Sequence, residues 1–342
     1  MTVVPDEERV QPAETILWRA SSGSAAVLGL RELRMDAVPT TAYLMLGERC
    51  SRNCSFCAQA RESRSSAEAL SRVTWPAFPP ELLAEAVARA YSNGVIQRVC
   101  LQVTISRDHV ASTHRAVRSL AQRSPVPICA SVMPRDTEDV AALLAAGAER
   151  VTIALDAASE RVYREAKGGS WEQPWGLLER CARMWPGHIG THLMVGLGET
   201  QRELAECFQR LADLGVTVAL FAFTPVPGTL LAQRQPPPLQ HYRCAQVARW
   251  LIIHRLARAE DFGYDDLGRL CGYGLPSQQL RLHLAGGEAF RTAGCPGCNR
   301  PYYNERPGGV MHNYPRPLTR GEADLEVQAF LDSLPQSATR SH

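Results

Sequence analysis

Gly47-Glu-Arg-Cys50-Ser-Arg-Asn-Cys54-Ser-Phe-Cys57-Ala-Gln59 is the stretch on which the reading of this chain turns. It sets three cysteines at spacings of four and three, directly after the apolar run Thr41–Leu46. Three thiols on one short loop indicate a soft metal centre, because sulfur ligands select zinc and iron–sulfur clusters. A structural zinc site takes four protein ligands, usually as two spaced pairs, and this loop offers no fourth cysteine or histidine. Three cysteines leave one iron of a [4Fe–4S] cube open to a ligand that is not protein. The competing reading is a structural metal loop or three unrelated cysteines.

Composition narrows the setting. The 342 residues are 45% hydrophobic and 21% charged, as in an ordinary globular protein with ample core. That length allows one large α/β barrel with an appendage, or two domains. A net charge of +2 speaks against a nucleic-acid coat or attraction to a membrane. No Lys/Arg stripe interleaved with aromatics is present, so nucleic acid is not an expected partner. Eleven cysteines would suit a secreted disulfide protein, but Met1–Pro12 is charged and lacks the apolar core of a signal peptide. No run approaches the roughly 18 apolar residues of a membrane span. Reduced thiols, metal ligation and a cytoplasmic setting are expected.

From Thr41 onward, short β-rich runs alternate with amphipathic segments, the pattern of parallel βα units. Strands are expected at Thr41–Leu46, Gln97–Thr104, Val126–Met133, Arg150–Asp156, Ile189–Gly196 and Val216–Phe223. Helices are expected at Pro80–Ser92, His109–Gln122, Asp136–Ala146, Trp171–Met184, Thr200–Leu214 and Leu239–Arg258. The fold class is therefore α/β, a partial (β/α)6 TIM-type barrel. Residues 1–40 read as a helical N-terminal lead-in, 41–275 as the barrel, and 276–342 as a cysteine-containing C-terminal extension. The extension should end in a helix at Glu322–Leu334 and then fray.

Alternation inside the strands assigns their faces. Val99, Leu101 and Val103 interleave with Cys100, Gln102 and Thr104; Ile128, Ala130 and Val132 with Cys129, Ser131 and Met133; Val151, Ile153 and Leu155 with Thr152, Ala154 and Asp156. One face is greasy and belongs under helices. The other is polar, small or sulfur-bearing, and should line a wet, ligand-filled lumen.

The Cys-x3-Cys-x2-Cys loop, with Phe56 before its last cysteine, resembles the signature of the radical SAM superfamily. So does Gly190-Thr-His-Leu-Met-Val-Gly196-Leu-Gly198-Glu199-Thr200 at the junction of a strand and a helix. With Ala58-Gln59 and Phe223-Thr-Pro225-Val-Pro-Gly228-Thr229, the set resembles the biotin-synthase branch. The resemblance implies a [4Fe–4S] cluster on Cys50, Cys54 and Cys57, its open iron chelated by S-adenosylmethionine (SAM), which one electron cleaves to a 5′-deoxyadenosyl radical. It implies that Phe56, Gly196 and Gly198 help to hold SAM. Ser131 and Asp156, at strand ends, are candidate polar contacts to it, or polar barrel residues bonded to each other. Arg164 and Lys167 are candidates for the SAM carboxylate, or ordinary helix charges. The Gly-Gly-Glu turn common in the superfamily is replaced here by Gln102-Val-Thr104-Ile-Ser106, which leaves the amino-group contact unassigned.

A third motif, Gly294-Cys295-Pro-Gly-Cys298, reads as a zinc knuckle or as part of an auxiliary iron–sulfur cluster. Cys100 and Cys129 stand at places resembling two of the biotin-synthase cysteines that hold its second cluster, while the third falls near Gly190 and is absent. The expected auxiliary set is Cys295 and Cys298 with Cys100, and Cys271 and Cys129 are further candidates. Cys181, Cys207 and Cys244 read as core. This tail on such a barrel resembles the two-component lipoyl synthases. The partners this implies are an octanoylated lipoyl-carrier protein, a second radical SAM subunit, and an electron donor such as ferredoxin or flavodoxin. Competing readings are a biotin-synthase-like thiolation or a rearrangement of a small molecule, and a non-enzymatic iron–sulfur protein.

Overall fold

The computed structural model describes residues 17–305 and 308–335, whose first element is a strand, β1 (Trp18–Ala20), where a helical lead-in was expected. Trp18 and Ala20 are buried and Arg19 is not, the period-two pattern of a half-covered strand. β1 runs antiparallel to β2 (Thr41–Leu46), with Arg19 opposite Met45. The lead-in helix shrinks to α1 (Ser22–Val27), which starts where the Ser21 hydroxyl caps the Ser24 N–H. A small hairpin, β3 (Ala69–Leu70) and β4 (Val73–Thr74), follows, and then β5 (Ala77–Phe78), which pairs with β1.

The βα alternation then takes over. In order come α2 (Pro80–Ser92), β6 (Arg98–Val103), α3 (His109–Arg123), β7 (Ile128–Ser131), α4 (Thr137–Ala145) and β8 (Arg150–Thr152). They are followed by α5 (Glu160–Lys167), α6 (Glu172–Met184), β9 (Ile189–Val195), α7 (Gln201–Asp213), β10 (Thr217–Ala222) and α8 (Leu239–Ile253). The helix starts follow local chemistry. Pro80 opens α2, Asp136 caps α4, and Thr200 with Glu203 forms a capping box on α7.

The sheet order is β10-β9-β8-β7-β6-β2-β1-β5, and the six strands from β2 to β10 are parallel. This is the α/β partial barrel that the alternation indicated. Val99, Leu101, Ile128, Ala130, Val151 and Ile153 are completely buried in the core beneath the helices. Three expectations need correction. β8 stops at Thr152, beyond which the Thr191 hydroxyl interrupts the ladder, accepting the Leu155 N–H and donating to Ile153 O. α8 ends at Ile253 rather than Arg258, with Arg255 left-handed at φ 56°. α5 was not foreseen, since its five charges mask an inward face of Val162, Tyr163 and Ala166.

Beyond α8 come β11 (Gly263–Tyr264), β12 (Leu270–Gly272), α9 (Ser277–Leu284) and α10 (Arg320–Asp332). Between α9 and α10 the tail returns to the barrel and closes its open side. Arg98 Nη1 donates to Pro296 O at 2.9 Å, and the Thr40 N–H to Asn299 Oδ1 at 3.0 Å. At the other edge Arg300 Nη2 reaches Leu220 O at 3.2 Å and Asn304 Nδ2 reaches Ala222 O at 2.8 Å. Tail side chains thus bond to carbonyls of edge strand β10, alongside Tyr242 Oη on Leu220 O and Thr224 Oγ1 on Ala222 O. The segments 1–16 of the lead-in, 306–307 of the tail, and 336–342, where fraying was expected, lie outside the described residues. No described helix is long and apolar enough to cross a membrane.

Candidate functional site

The cysteine loop lies over the carboxyl end of the barrel and is tied down from several directions. Cys50 N–H donates to Gln59 O at 2.9 Å and Cys57 N–H to Cys54 O at 3.0 Å, so the loop folds on itself. Ser55 N–H donates to Ala166 O on α5 at 2.8 Å, and Ser51 N–H to Ile105 O at 2.7 Å. Gln59, fully buried, donates to Ala67 O and Ala69 O at 2.9 and 2.6 Å. The Gln102–Ser106 segment, without a role from sequence, therefore docks the loop. Ile105 N–H also points at Cys50 Sγ, 3.3 Å away.

A cavity of about 210 Å³ opens beneath this loop, lined by Cys50, Phe56, Cys57, Ser131, Asp156 and Met194 among others. The lumen face inferred from alternation supplies Gln102, Thr104, Ser131, Ala154 and Asp156. Gly196 and Gly198 do not line this cavity; they follow β9, whose Met194 does. Instead, at φ 106° and 118°, they shape a turn in which the Gly196 and Leu197 N–H groups grip the Glu199 carboxylate at 2.6 and 2.9 Å. A Cβ on Gly196 would meet Pro237 Cδ at 2.9 Å. Ser131 and Asp156 are not bonded to each other; both face the cavity.

The carboxylate role suggested for Arg164 and Lys167 is corrected. Arg164 is an exposed partner of Glu160 at 2.5 Å. Lys167 is buried and spends its three protons on Ala154 O, Leu155 O and Asp156 Oδ2, at 2.7, 3.2 and 2.7 Å. The pair sits beside Cys54, whose thiol burial pushes up to about 11 while Lys167 opposes the shift. Burial raises Cys57 to about 12, with Cys54 and Cys50 adding to the effect.

Among the described residues no three His, Cys, Asp or Glu side chains converge on a single metal ion. A [4Fe–4S] cluster asks for something else, since each thiolate would bind a different iron. The loop fits that demand: three thiols with mutual electrostatic coupling, a backbone N–H aimed at one sulfur, and an adjoining cavity.

A second group of cysteines lies deeper. Cys100, Cys129, Cys295 and Cys298 line one cavity of about 40 Å³ in the lumen. The tail loop 295–298 plugs the end of the barrel opposite the Cys50 loop, near the starts of β2 and β6, and brings its two thiols up against strand cysteines more than 160 residues away. Cys129 therefore joins the site as a full member. Cys271 does not, since it lies on β12 with its thiol directed at Arg269 O, 3.6 Å away. The absent strand cysteine at Gly190 is explained too. A Cβ there would meet Thr152 Oγ1 at 2.8 Å, and Cys295 enters the cavity from the tail.

The surroundings favour an anionic sulfur-bound group. Arg98, Arg150 and Arg300 act electrostatically on these thiols. Arg98 Nε and Arg150 Nε are buried without a hydrogen-bond partner. Gln102 Nε2 donates to Cys100 Sγ at 3.0 Å, and Tyr43 Oη lies 3.3 Å from Cys298 Sγ. Buried cations with unused donors beside four thiols fit a cluster better than free thiols.

Gln102, His192, Phe221 and Tyr303 line both cavities and so form the seam between them. His192 and Phe221 meet edge to face at 5.2 Å, and Phe221 and Tyr303 at 5.3 Å. Burial drives the His192 imidazole down to about 4, leaving it neutral. Of these, Gln102 was placed on the lumen face from sequence; His192 and Phe221 were missed, although His192 shares the lumen parity of Gly190 and Met194. Arg98 and Arg150 share the parity of Cys100 and Thr152, so the same alternation pointed to them.

Comparison with known proteins bears on the family and the fold. A model of the radical SAM superfamily matches residues 44–211. A biotin synthase of Sulfurihydrogenibium sp. (strain YO3AOP1) is 24% identical over 250 residues, covering 72% of this chain and 69% of that protein. A lipoyl synthase of Halorubrum lacusprofundi is 26% identical over 196 residues, covering 54% of this chain and 58% of that protein. The chain thus spans less than two thirds of that lipoyl synthase. The crystal structure of HydG, a maturase of the [FeFe]-hydrogenase, superposes with a TM-score of 0.51 at 10% identity, over 62% of this chain and 50% of that one, which is a likeness of fold.

Proposed function

Because the chain is a radical SAM enzyme, distantly related to proteins of the biotin and lipoyl synthase type, we propose that it inserts sulfur at an unactivated C–H of a protein-bound octanoyl chain, as one of two subunits that make lipoyl groups. The observation that carries this reading is the second nest of four cysteines, Cys100, Cys129, Cys295 and Cys298, across a thin seam from the SAM-side cavity.

When bound, the Cys50/Cys54/Cys57 cluster with SAM supplies a carbon-centred radical able to take a hydrogen atom from an alkyl chain, and an auxiliary cluster supplies sulfide. The residues of the chain do the positioning. Cys50, Cys54 and Cys57 hold the first group, Phe56, Ser131, Asp156 and Met194 wall the SAM-side cavity, and the four deeper thiols hold the second group. The seam of Gln102, His192, Phe221 and Tyr303 fills the space between the two cavities with side chains and so limits water, which would quench a carbon radical. Arg98, Arg150 and Arg300 offset the negative charge of thiolates and sulfide. Two sulfurs at two carbons make a second radical SAM subunit a natural division of labour, with reducing equivalents from a ferredoxin or flavodoxin.

Two experiments test the proposal. Iron and acid-labile sulfide are counted anaerobically, with EPR, in wild type and in the Cys50/Cys54/Cys57→Ala variant. About four irons should survive in the variant; none surviving removes the auxiliary cluster. Purified protein with SAM, reductant and octanoylated carrier, alone and with the second subunit, should then yield thiolated carrier. If no thiolated product forms in either mixture, sulfur insertion fails as the function. The biotin-synthase likeness favours a second reading, thiolation of a small molecule, in which case a free carboxylic acid substrate competes and the carrier does not.

A further inference from the structure

We propose that the acyl chain reaches the seam from the side, through a third cavity between the β3–β4 hairpin, the 33–39 loop and the tail, and that this cavity binds an unbranched acyl group amide-linked to a lysine of another protein. The identity of the acyl group rests on the sulfur-insertion reading; the route rests on the shape of the barrel.

Three cavities meet inside the fold, and Tyr303 lies on the wall of each. The third has a volume of about 450 Å³. Its inner end shares Tyr43, Trp75, Arg300 and Tyr303 with the four-cysteine cavity, so the two adjoin across these side chains. Its outer end is formed by the exposed residues Leu33, Arg34, Asp36 and Arg72. It therefore runs from solvent to the edge of the cysteine nest without crossing the SAM-side cavity. The hairpin stands between the two: Leu70 and Ser71 face one side, Val73 and Trp75 the other, and Ser71 Oγ donates to Tyr303 O at 3.3 Å.

Volume separates the occupants. The SAM-side cavity holds about 210 Å³. A cofactor the size of SAM leaves no room there for a second chain. The third cavity is more than twice as large, and its walls suit methylenes: Leu33, Met35, Pro39, Val73, Trp75 and Tyr302. Its buried charges already have partners. Glu305 accepts the N–H groups of Asn313 and Asn304 at 2.9 and 3.2 Å, and Arg300 donates to Ala293 O at 2.7 Å. An apolar chain can enter without stranding either group. A lysyl arm suits such a slot, since the long side chain threads inward while its protein stays outside.

The test uses the reconstituted holoprotein with SAM and a peptide carrying Nε-octanoyl-lysine with a diazirine at mid-chain. After irradiation, mass spectrometry should find label on 33–36, 72–75 or 301–303. Unlabelled octanoyl-lysyl peptide should compete and acetyl-lysyl peptide should not. Val73→Trp, which fills the slot, should cut labelling at least tenfold with iron content as in wild type; should that variant lose iron, Leu33→Trp at the exposed mouth serves in its place. Label confined to Phe56, Ser131 or Met194 would overturn the lateral route and leave sulfur insertion standing. The absence of label from both the peptide and a diazirine-bearing octanoylated carrier would overturn the route and the octanoyl reading together.

Discussion

The hydroxyl of Tyr43 lies 3.3 Å from Cys298 Sγ, across 255 residues of sequence, and accepts the backbone N–H of Arg300 at 3.1 Å. Toward a thiolate ligand, which has no proton to give, the phenol is the donor. Burial holds the phenol well above its ordinary range, so it stays a donor. Hydrogen bonds to ligand sulfurs make a cluster easier to reduce. Tyr43→Phe should retain iron and lower the auxiliary potential. A bond of about 1 kcal/mol corresponds to roughly 40 mV for a one-electron couple. An EPR-monitored redox titration reads it, and an unchanged or raised potential counts against the contact.

Gly47 begins the cysteine loop at φ 87°, and a Cβ there would overlap Thr104 Oγ1. Thr104 cannot swing aside freely, because its hydroxyl donates to Leu46 O at 3.1 Å. Gly47→Ala should cost about 1–3 kcal/mol of stability and lower the iron retained on Cys50, Cys54 and Cys57. Denaturant unfolding with iron analysis checks both.

The buried Lys167–Asp156 pair is the third test. Removing one partner strands the other charge, so Lys167→Met should destabilise by about 3–5 kcal/mol. Lys167→Met with Asp156→Asn should recover part of that loss, because the stranded carboxylate is gone. Thermal unfolding of the two single variants and the double completes the cycle; strict additivity would deny the coupling.

Thiol by thiol, the two candidate auxiliary sites separate cleanly. Cys271→Ser should leave iron and sulfide per chain unchanged. Cys129→Ser and Cys295→Ser should each lower auxiliary iron and alter its EPR signal. Iron loss in Cys271→Ser would contradict the geometry.

His192 provides a pH test. Its folded value, about 4, lies below the ordinary 6.5, so between those limits the unfolded chain holds the extra proton. Its contribution to stability is fully present above pH 6.5 and is lost as the pH falls toward 4. Wild type should therefore lose stability over that window more steeply than His192→Gln. The imidazole resonances of His192 should still report a neutral ring at pH 5.

Local sequence carried the barrel a long way. β2 spans Thr41–Leu46 and α2 spans Pro80–Ser92 at the expected residues, because their start and stop signals are local. Strand parity likewise assigned Cys100, Gln102, Cys129 and Ser131 to the lumen. Element ends departed from expectation where a side chain or a backbone state overrode the pattern, as at Thr191 beside β8 and Arg255 after α8, and where a strand was too brief to show a period, as at Trp18–Ala20.

What the sequence by itself determined is the chemistry and the parity: three thiols on one loop, and strands with one greasy and one functional face. Both follow from spacing along a single stretch of chain. What only the tertiary structure decided is which distant groups meet. Cys295 and Cys298 reach Cys100 and Cys129 rather than Cys271, because the tail plugs the barrel and bonds to Thr40, Arg98 and edge strand β10. That closure is set by edge-strand carbonyls and buried arginines in search of partners, and no pattern local to the tail encodes it.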